Sequence, residues 1–144
     1  MARSASMAIH GQFNERSQYL SLMNILRSAS AVLTTVGSLN AFVQTDDGRD
    51  VLSLDMEEEN AYDRVAGLFA SGTIVSLDVG FPLEGREHRF NCDPTYEGQL
   101  SITLLGDVQI LDDGMIDFNW YYRFWSTIAR KHITVEGVEF SVFE

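Results

Sequence analysis

The sequence predicts an α+β protein with an antiparallel β-sheet of about six to eight strands and two helices packed mainly on one face. Two stretches in the first half of the chain repeat apolar residues every three or four positions, whereas most of the second half repeats them every second position. Two Asp-Gly turns separate strand-like segments, which is typical of hairpins. We expect a single globular domain over 1–144, with residues 1–6 compatible with a disordered or vector-derived leader.

The first half of the chain carries both predicted helices. A short strand over 8–13 precedes a helix that Asn14 is expected to cap. Its apolar stripe is formed by Tyr19, Leu22, Met23, Leu26, Ala29 and Leu33. A hairpin over 39–54 follows, and the second helix is expected to run from Asp55 to about Gly72 because three glutamates follow the capping aspartate.

From residue 73 onwards the sequence predicts strands. Apolar and polar residues alternate in three segments between Val75 and Ile110, and an Asp-Asp-Gly turn comes next. Ser126–His132 fits either a helical turn or a continued strand. The chain after Ile133 fits either a terminal hairpin or one bulged strand.

The aromatic stretch Ile116–Trp125 is predicted to be the central strand, because an edge strand this apolar would invite aggregation. Its even positions are all large and apolar: Ile116, Phe118, Trp120, Tyr122 and Phe124. They are expected to face the core. The odd positions Tyr121, Arg123 and Trp125 would share the other face, and these residue types are enriched at binding hot spots. That face is expected either to bind a partner or to be covered by the C-terminal hairpin.

The overall charge is strongly acidic, with 10 basic and 21 acidic residues and a formal net charge of −11. Direct binding to nucleic acid is not expected, because phosphate contacts require lysine and arginine. No apolar run approaches the roughly 20 residues that cross a bilayer, so no membrane association is expected. Cys92, the single cysteine, cannot form an internal disulfide, which favours a reducing, cytoplasmic location.

Much of this acidity lies between residues 46 and 63, where one arginine accompanies eight carboxylates. The partner-binding candidates there are Asp46, Asp47, Asp50, Glu57, Glu58, Glu59 and Asp63. Clustered carboxylates steer association with a basic partner. The segment is therefore predicted to contribute to a protein-binding surface.

Catalytic and metal-binding motifs are weak. His10, His88, His132 and Cys92 are not spaced like a zinc site, and the chain has no phosphate loop, dinucleotide fingerprint or G-x-S-x-G motif. No metal, cofactor or catalytic residue is expected. A small enzyme or small-molecule binder with a pocket near His88 and Cys92 remains one alternative.

Together these features favour a small acidic intracellular protein that inhibits or neutralises a basic protein partner by occlusion. Immunity proteins and anti-defence proteins, with nuclease or nucleic-acid-handling targets, share this composition. The main alternative is a structural or assembly subunit of a virion or secretion apparatus, and a homo-oligomer is compatible with either function.

Overall fold

The computed structural model describes residues 4–32, 39–45, 48–53, 61–106 and 108–143. The strands are β1 (Ser4–Phe13), β2 (Leu39–Thr45), β3 (Gly48–Ser53), β4 (Ile74–Leu83), β5 (Arg86–Asp93), β6 (Gln99–Leu105) and β7 (Ile133–Phe143). The helices are α1 (Gln18–Val32), α2 (Ala61–Ala70) and α3 (Phe118–Ala129). The seven strands pair antiparallel in the order β3-β2-β4-β5-β6-β1-β7.

The α+β class and the antiparallel sheet agree with the sequence, but the predicted number of helices is wrong. The described ranges contain a third helix, α3, where the sequence predicted the central strand Ile116–Trp125. The Asp117 side chain caps this helix by accepting a hydrogen bond of 3.1 Å from the Trp120 amide. The buried residues of α3 recur at helical spacing, Tyr121, Trp125 and then Ala129.

The sheet has one apolar and one polar face, as expected for antiparallel strands covered on one side. A row of paired apolar residues crosses the covered face from Leu77 through Cys92 and Ile102 to Met7. On the open face the corresponding row is Asp78, Asn91, Thr103, Ser6 and Ser141. The Asn91 amide donates to Asp78 and to Ser76 at 3.0 Å each, so this face satisfies part of its own hydrogen-bonding capacity.

The helices form a layer over the apolar face. The Trp125 indole of α3 packs edge-on against Phe90, with ring centroids 5.2 Å apart and planes at 84°. Helix α1 packs against both α2 and α3, and Tyr19 stacks on Phe69 at 5.4 Å. None of the helices in these ranges is both long and apolar enough to cross a membrane.

Strand β7 resolves the alternative at the C-terminus, because 133–143 forms one bulged strand paired with β1. The pairing register shifts between His10 and Gly11. A Cβ on Gly11 would lie 2.1 Å from the Thr134 carbonyl oxygen, so the close approach at this bulge requires glycine. Strand β1 begins at Ser4, which places residues 4–6 of the expected leader in the sheet, with Ala5 buried.

Candidate functional site

The three predicted hot-spot residues of the aromatic stretch do not form a common surface. Tyr121 is 2% exposed and Trp125 is fully buried, whereas Arg123 is exposed on the outer side of α3. Residues that alternate on one face of a strand are spread around a helix, which advances 100° per residue. The expected face of Tyr121, Arg123 and Trp125 is therefore corrected to one exposed arginine and two core residues.

The acidic candidates are only partly within the described ranges. Asp63 is exposed in the first turn of α2, with 3.9 Å between its Oδ1 and Nη2 of Arg27. Asp50 lies in β3. Asp46, Asp47 and the glutamates at 57–59 fall outside the described residues. The acidic segment as a binding surface stays a prediction.

A different surface has the features of a docking site, namely the connection between β6 and α3. Residues 108–117, hereafter the hairpin arm, fold back on themselves through a bridge between Ile110 and Ile116. At its tip the Gly114 amide donates to the Leu111 carbonyl at 2.9 Å, and the Leu111 amide donates to the Met115 carbonyl at 2.7 Å. Gly114 has a φ of 84°, so glycine suits this turn position.

The hairpin arm is fixed to the body of the protein at its base. The Gln109 amide donates to the Tyr121 hydroxyl at 2.6 Å, and Arg86 donates to the Gln109 side chain at 2.8 Å. Ile116 is buried. Burial raises the pKa of Tyr121, while the hydrogen bond from Gln109 and the nearby Arg86 act in the opposite direction. The phenol therefore stays neutral at physiological pH and can hold the base of the arm.

The tip of the hairpin arm exposes three large apolar side chains. Ile110, Leu111 and Met115 are 56%, 48% and 51% exposed. The exposed carboxylates Asp112 and Asp113 lie between them in sequence. An exposed cluster of large apolar residues with a charged rim is typical of a protein-binding surface.

More exposed apolar surface lies at the same end of the sheet. Val142 pairs with Ala5, which pairs with Leu104 just before the chain leaves β6 for the hairpin arm. Eight large apolar side chains are exposed in the described residues, and five of them are Ile110, Leu111, Met115, Val142 and Phe143. Most of these exposed apolar side chains thus belong to the end of β7 and to the hairpin arm, which departs from the same end of the sheet.

Comparisons with known proteins do not assign this site. No protein-family model, no curated protein and no solved structure matches the chain. The surface must be interpreted from its own chemistry.

The sequence-based alternative of a pocket near His88 and Cys92 meets an unfavourable environment. Both residues are buried, and the His88 ring stacks on the Trp120 indole with centroids 4.5 Å apart. Burial, followed by the nearby carboxylates Asp78 and Asp93, strongly raises the pKa of the Cys92 thiol. A nucleophilic cysteine requires the thiolate, so this environment opposes thiol catalysis. Among the described residues, no group of three or more potential ligands could hold a metal ion.

Sequence reasoning missed the hairpin arm as a site, although it identified its turn. The signal is the sequence Ile110-Leu111-Asp112-Asp113-Gly114-Met115-Ile116, in which apolar pairs flank the turn on both sides. Only Ile116 of these four apolar residues is buried. The other three exceed what contact with the core requires, and such an excess of apolar residues beside a turn indicates an exposed patch.

Proposed function

We propose that this chain is a small acidic intracellular binding protein that inhibits or neutralises a basic protein partner by occlusion. Its target class would be nucleases or other nucleic-acid-handling proteins, as for immunity and anti-defence proteins, and it would act in the cytoplasm. The observation that carries the proposal is the hairpin arm, in which a firmly attached turn exposes three large apolar side chains beside two carboxylates.

The carboxylates of the arm support a basic partner. Residues 108–117 contain Asp112, Asp113 and Asp117 and no lysine or arginine, and Asp112 and Asp113 at the tip are exposed. Like charges repel at an interface, and opposite charges accelerate association. Apolar anchors beside two exposed carboxylates therefore suit a cleft that normally receives a nucleic-acid phosphate backbone.

The rigid attachment of the arm supports binding by occlusion. A turn that is already ordered loses little conformational entropy when it inserts into a partner. The Tyr121 and Arg86 contacts to Gln109 supply that order.

The proposal is tested with the double variant Ile110→Ser/Leu111→Ser. The wild-type protein and the variant are immobilised, and proteins captured from a lysate of the producing cells are compared at low and high salt. Each captured basic protein is then purified, and its activity, for a nuclease the cleavage of plasmid DNA, is titrated with the free acidic protein. We expect the wild-type protein to abolish that activity at equimolar amounts and the double variant to bind at least about tenfold more weakly.

Leu20→Ser is the matched control, because Leu20 is exposed on α1, outside the hairpin arm. This variant should inhibit as the wild-type protein does. Capture that is equal for all three proteins, or a captured protein whose activity is unchanged at saturation, would contradict the proposal.

An assembly subunit is the second candidate, since the same apolar end of the molecule would also suit packing against neighbouring copies. Sedimentation velocity over a range of protein concentrations separates the two functions. A subunit would form higher-order species as concentration rises, and Ile110→Ser/Leu111→Ser would suppress them. An inhibitor would retain one sedimentation coefficient.

A further inference from the structure

Strand β7 lies at one end of the sheet, and the described residues contain no strand on its outer side. Beside it is a cleft of about 330 Å³ between the strand and α3. The cleft is lined by Tyr122, Ser126 and Arg130 from the helix and by Ile133, Thr134 and Val135 from the strand. A groove between an edge strand and a helix is a common site for an extended peptide, which adds to the sheet as a further strand.

The helix side of this cleft is formed by one stripe. Tyr122, Ser126 and Arg130 are four residues apart and so lie along one side of α3. Tyr122 is 43% exposed and offers an aromatic surface at one end, while Arg130 is exposed at the other. Ser126 between them is small, and its hydroxyl donates to the Arg123 carbonyl at 3.4 Å. The middle of the cleft therefore has room for an apolar side chain.

The opposite side of the edge is acidic. Glu136 accepts a hydrogen bond from Gln12 at 3.2 Å, and Glu139 lies 3.5 Å from Nε2 of His10. These contacts place both carboxylates on the open face of the sheet, and both side chains are exposed. β7 thus combines a partly apolar side towards α3 with a negatively charged side towards solvent.

We infer that the outer edge of β7 binds an extended segment of a basic protein as an added strand. Side chains of a strand point alternately to its two faces. Apolar side chains of the segment would enter the cleft beside α3, and lysine or arginine would lie opposite Glu136 and Glu139. Arg130 in the cleft favours this orientation of the segment, because its positive charge repels a lysine or arginine side chain on the cleft side.

A second copy of the chain fits this edge less well. Glu136 and Glu139 lie near the middle of β7 on the same face, so pairing two β7 strands antiparallel about their midpoints would bring the four carboxylates of the two copies together on one face. Like charges opposite each other destabilise a strand pair, and charged residues on edge strands are a common protection against self-association. The charge of the edge therefore favours a basic partner strand.

This inference rests on the proposed function for the basic character of the partner, and its test uses a synthetic peptide so that the two can fail separately. The probe is a fluorescein-labelled peptide of alternating lysine and valine, and binding is followed by fluorescence anisotropy. In an antiparallel pair only every second amide of the peptide points to β7. Two N-methylated peptides are therefore compared, one methylated at every lysine amide and the other at every valine amide. We expect one of the two to lose binding and the other to retain it.

Protein variants locate the peptide. Glu136→Lys/Glu139→Lys should weaken binding roughly tenfold at low salt. The matched control, Glu84→Lys, changes an exposed turn residue between β4 and β5 and should leave binding unchanged beyond a small long-range effect. A peptide of alternating glutamate and valine should not bind to the wild-type protein.

Three results would overturn the inference. The first is the absence of saturable binding. The second is equal binding of the two N-methylated peptides, which would indicate charge attraction without strand addition. The third is a concentration-dependent dimer that the peptide dissociates, which would assign the edge to a second copy. If the peptide does not bind, the test of the hairpin arm is unaffected. If the peptide binds but the protein inhibits no captured partner, only the proposed function is overturned.

Discussion

At the scale of single residues, Tyr121 and Trp125 stabilise the protein from inside it. Trp125 is fully buried and packs edge-on against both Phe81 and Phe90. Tyr121 places its ring against Phe90 and its hydroxyl beneath the hairpin arm. Two of the residue types most common in binding hot spots are therefore used for folding, and the tyrosine also holds the base of the hairpin arm, the candidate binding surface.

The contribution of Trp125 is open to a direct measurement. Trp125→Ala should lower the free energy of unfolding by about 3–5 kcal/mol, because it removes a large aromatic side chain and leaves a cavity. Arg123→Ala on the exposed side of the same helix should change it by less than about 0.5 kcal/mol. Urea denaturation followed by circular dichroism gives both values. Similar losses for the two variants would contradict the burial pattern of α3.

At the scale of elements, local sequence patterns were sufficient to predict most strands but not to predict helix α3. The alternating segments that predicted β4, β5 and β6 lie on a sheet with one covered face, where period two has a clear physical cause. In Ile116–Trp125 six of ten residues are aromatic and occupy both even and odd positions. Such a run satisfies period two and period 3.6 together. The run forms a helix and not a strand because Asp117 caps it and because its rings pack against Phe81 and Phe90. The sequence does not show where those two rings lie in space.

The Asp117 cap links α3 to the hairpin arm, since the same residue also donates its amide to the Gln109 carbonyl at 2.9 Å. Asp117→Ala should cost about 1 kcal/mol in unfolding free energy through loss of the cap. We also expect faster hydrogen exchange at the amides of Leu111 and Gly114. Asp117→Asn is the matched control, because asparagine caps helices comparably well. Unchanged exchange in the alanine variant would show that the arm is held independently of the helix start.

At the scale of the whole molecule, the candidate site depends on contacts between distant parts of the chain. The register β6-β1-β7 brings Val142 and Phe143 to the end of the sheet from which the hairpin arm departs. The sequence shows the turn at 112–114 and the acidity of the surrounding segment. It does not show which sheet end those residues share, since strand order is set by long-range pairing. The proposal of an acidic partner-binding protein thus came from composition, whereas the candidate surface required the fold.

The core as a whole sets a pH dependence through Cys92. Burial makes the thiolate unfavourable in the folded state, so the pKa of Cys92 is higher in the folded protein than in the unfolded chain, where a cysteine has a pKa of about 8.5. Because its pKa is raised in the folded state, the thiol contributes a constant amount to the free energy of unfolding below the unfolded pKa. That contribution decreases as the pH rises above the unfolded pKa. The slope from this thiol should be about −0.7 kcal/mol per pH unit at pH 8.5 and should approach −1.4 kcal/mol per pH unit above about pH 9.5. Urea denaturation across this range should show the decline in the wild-type protein, and Cys92→Ala should lose the part due to the thiol while being less stable at pH 7.

An equal slope in both proteins, or rapid labelling of the folded wild-type thiol by a disulfide reagent at pH 8, would place Cys92 in a solvent-accessible environment and reopen the catalytic interpretation of the His88 and Cys92 pair.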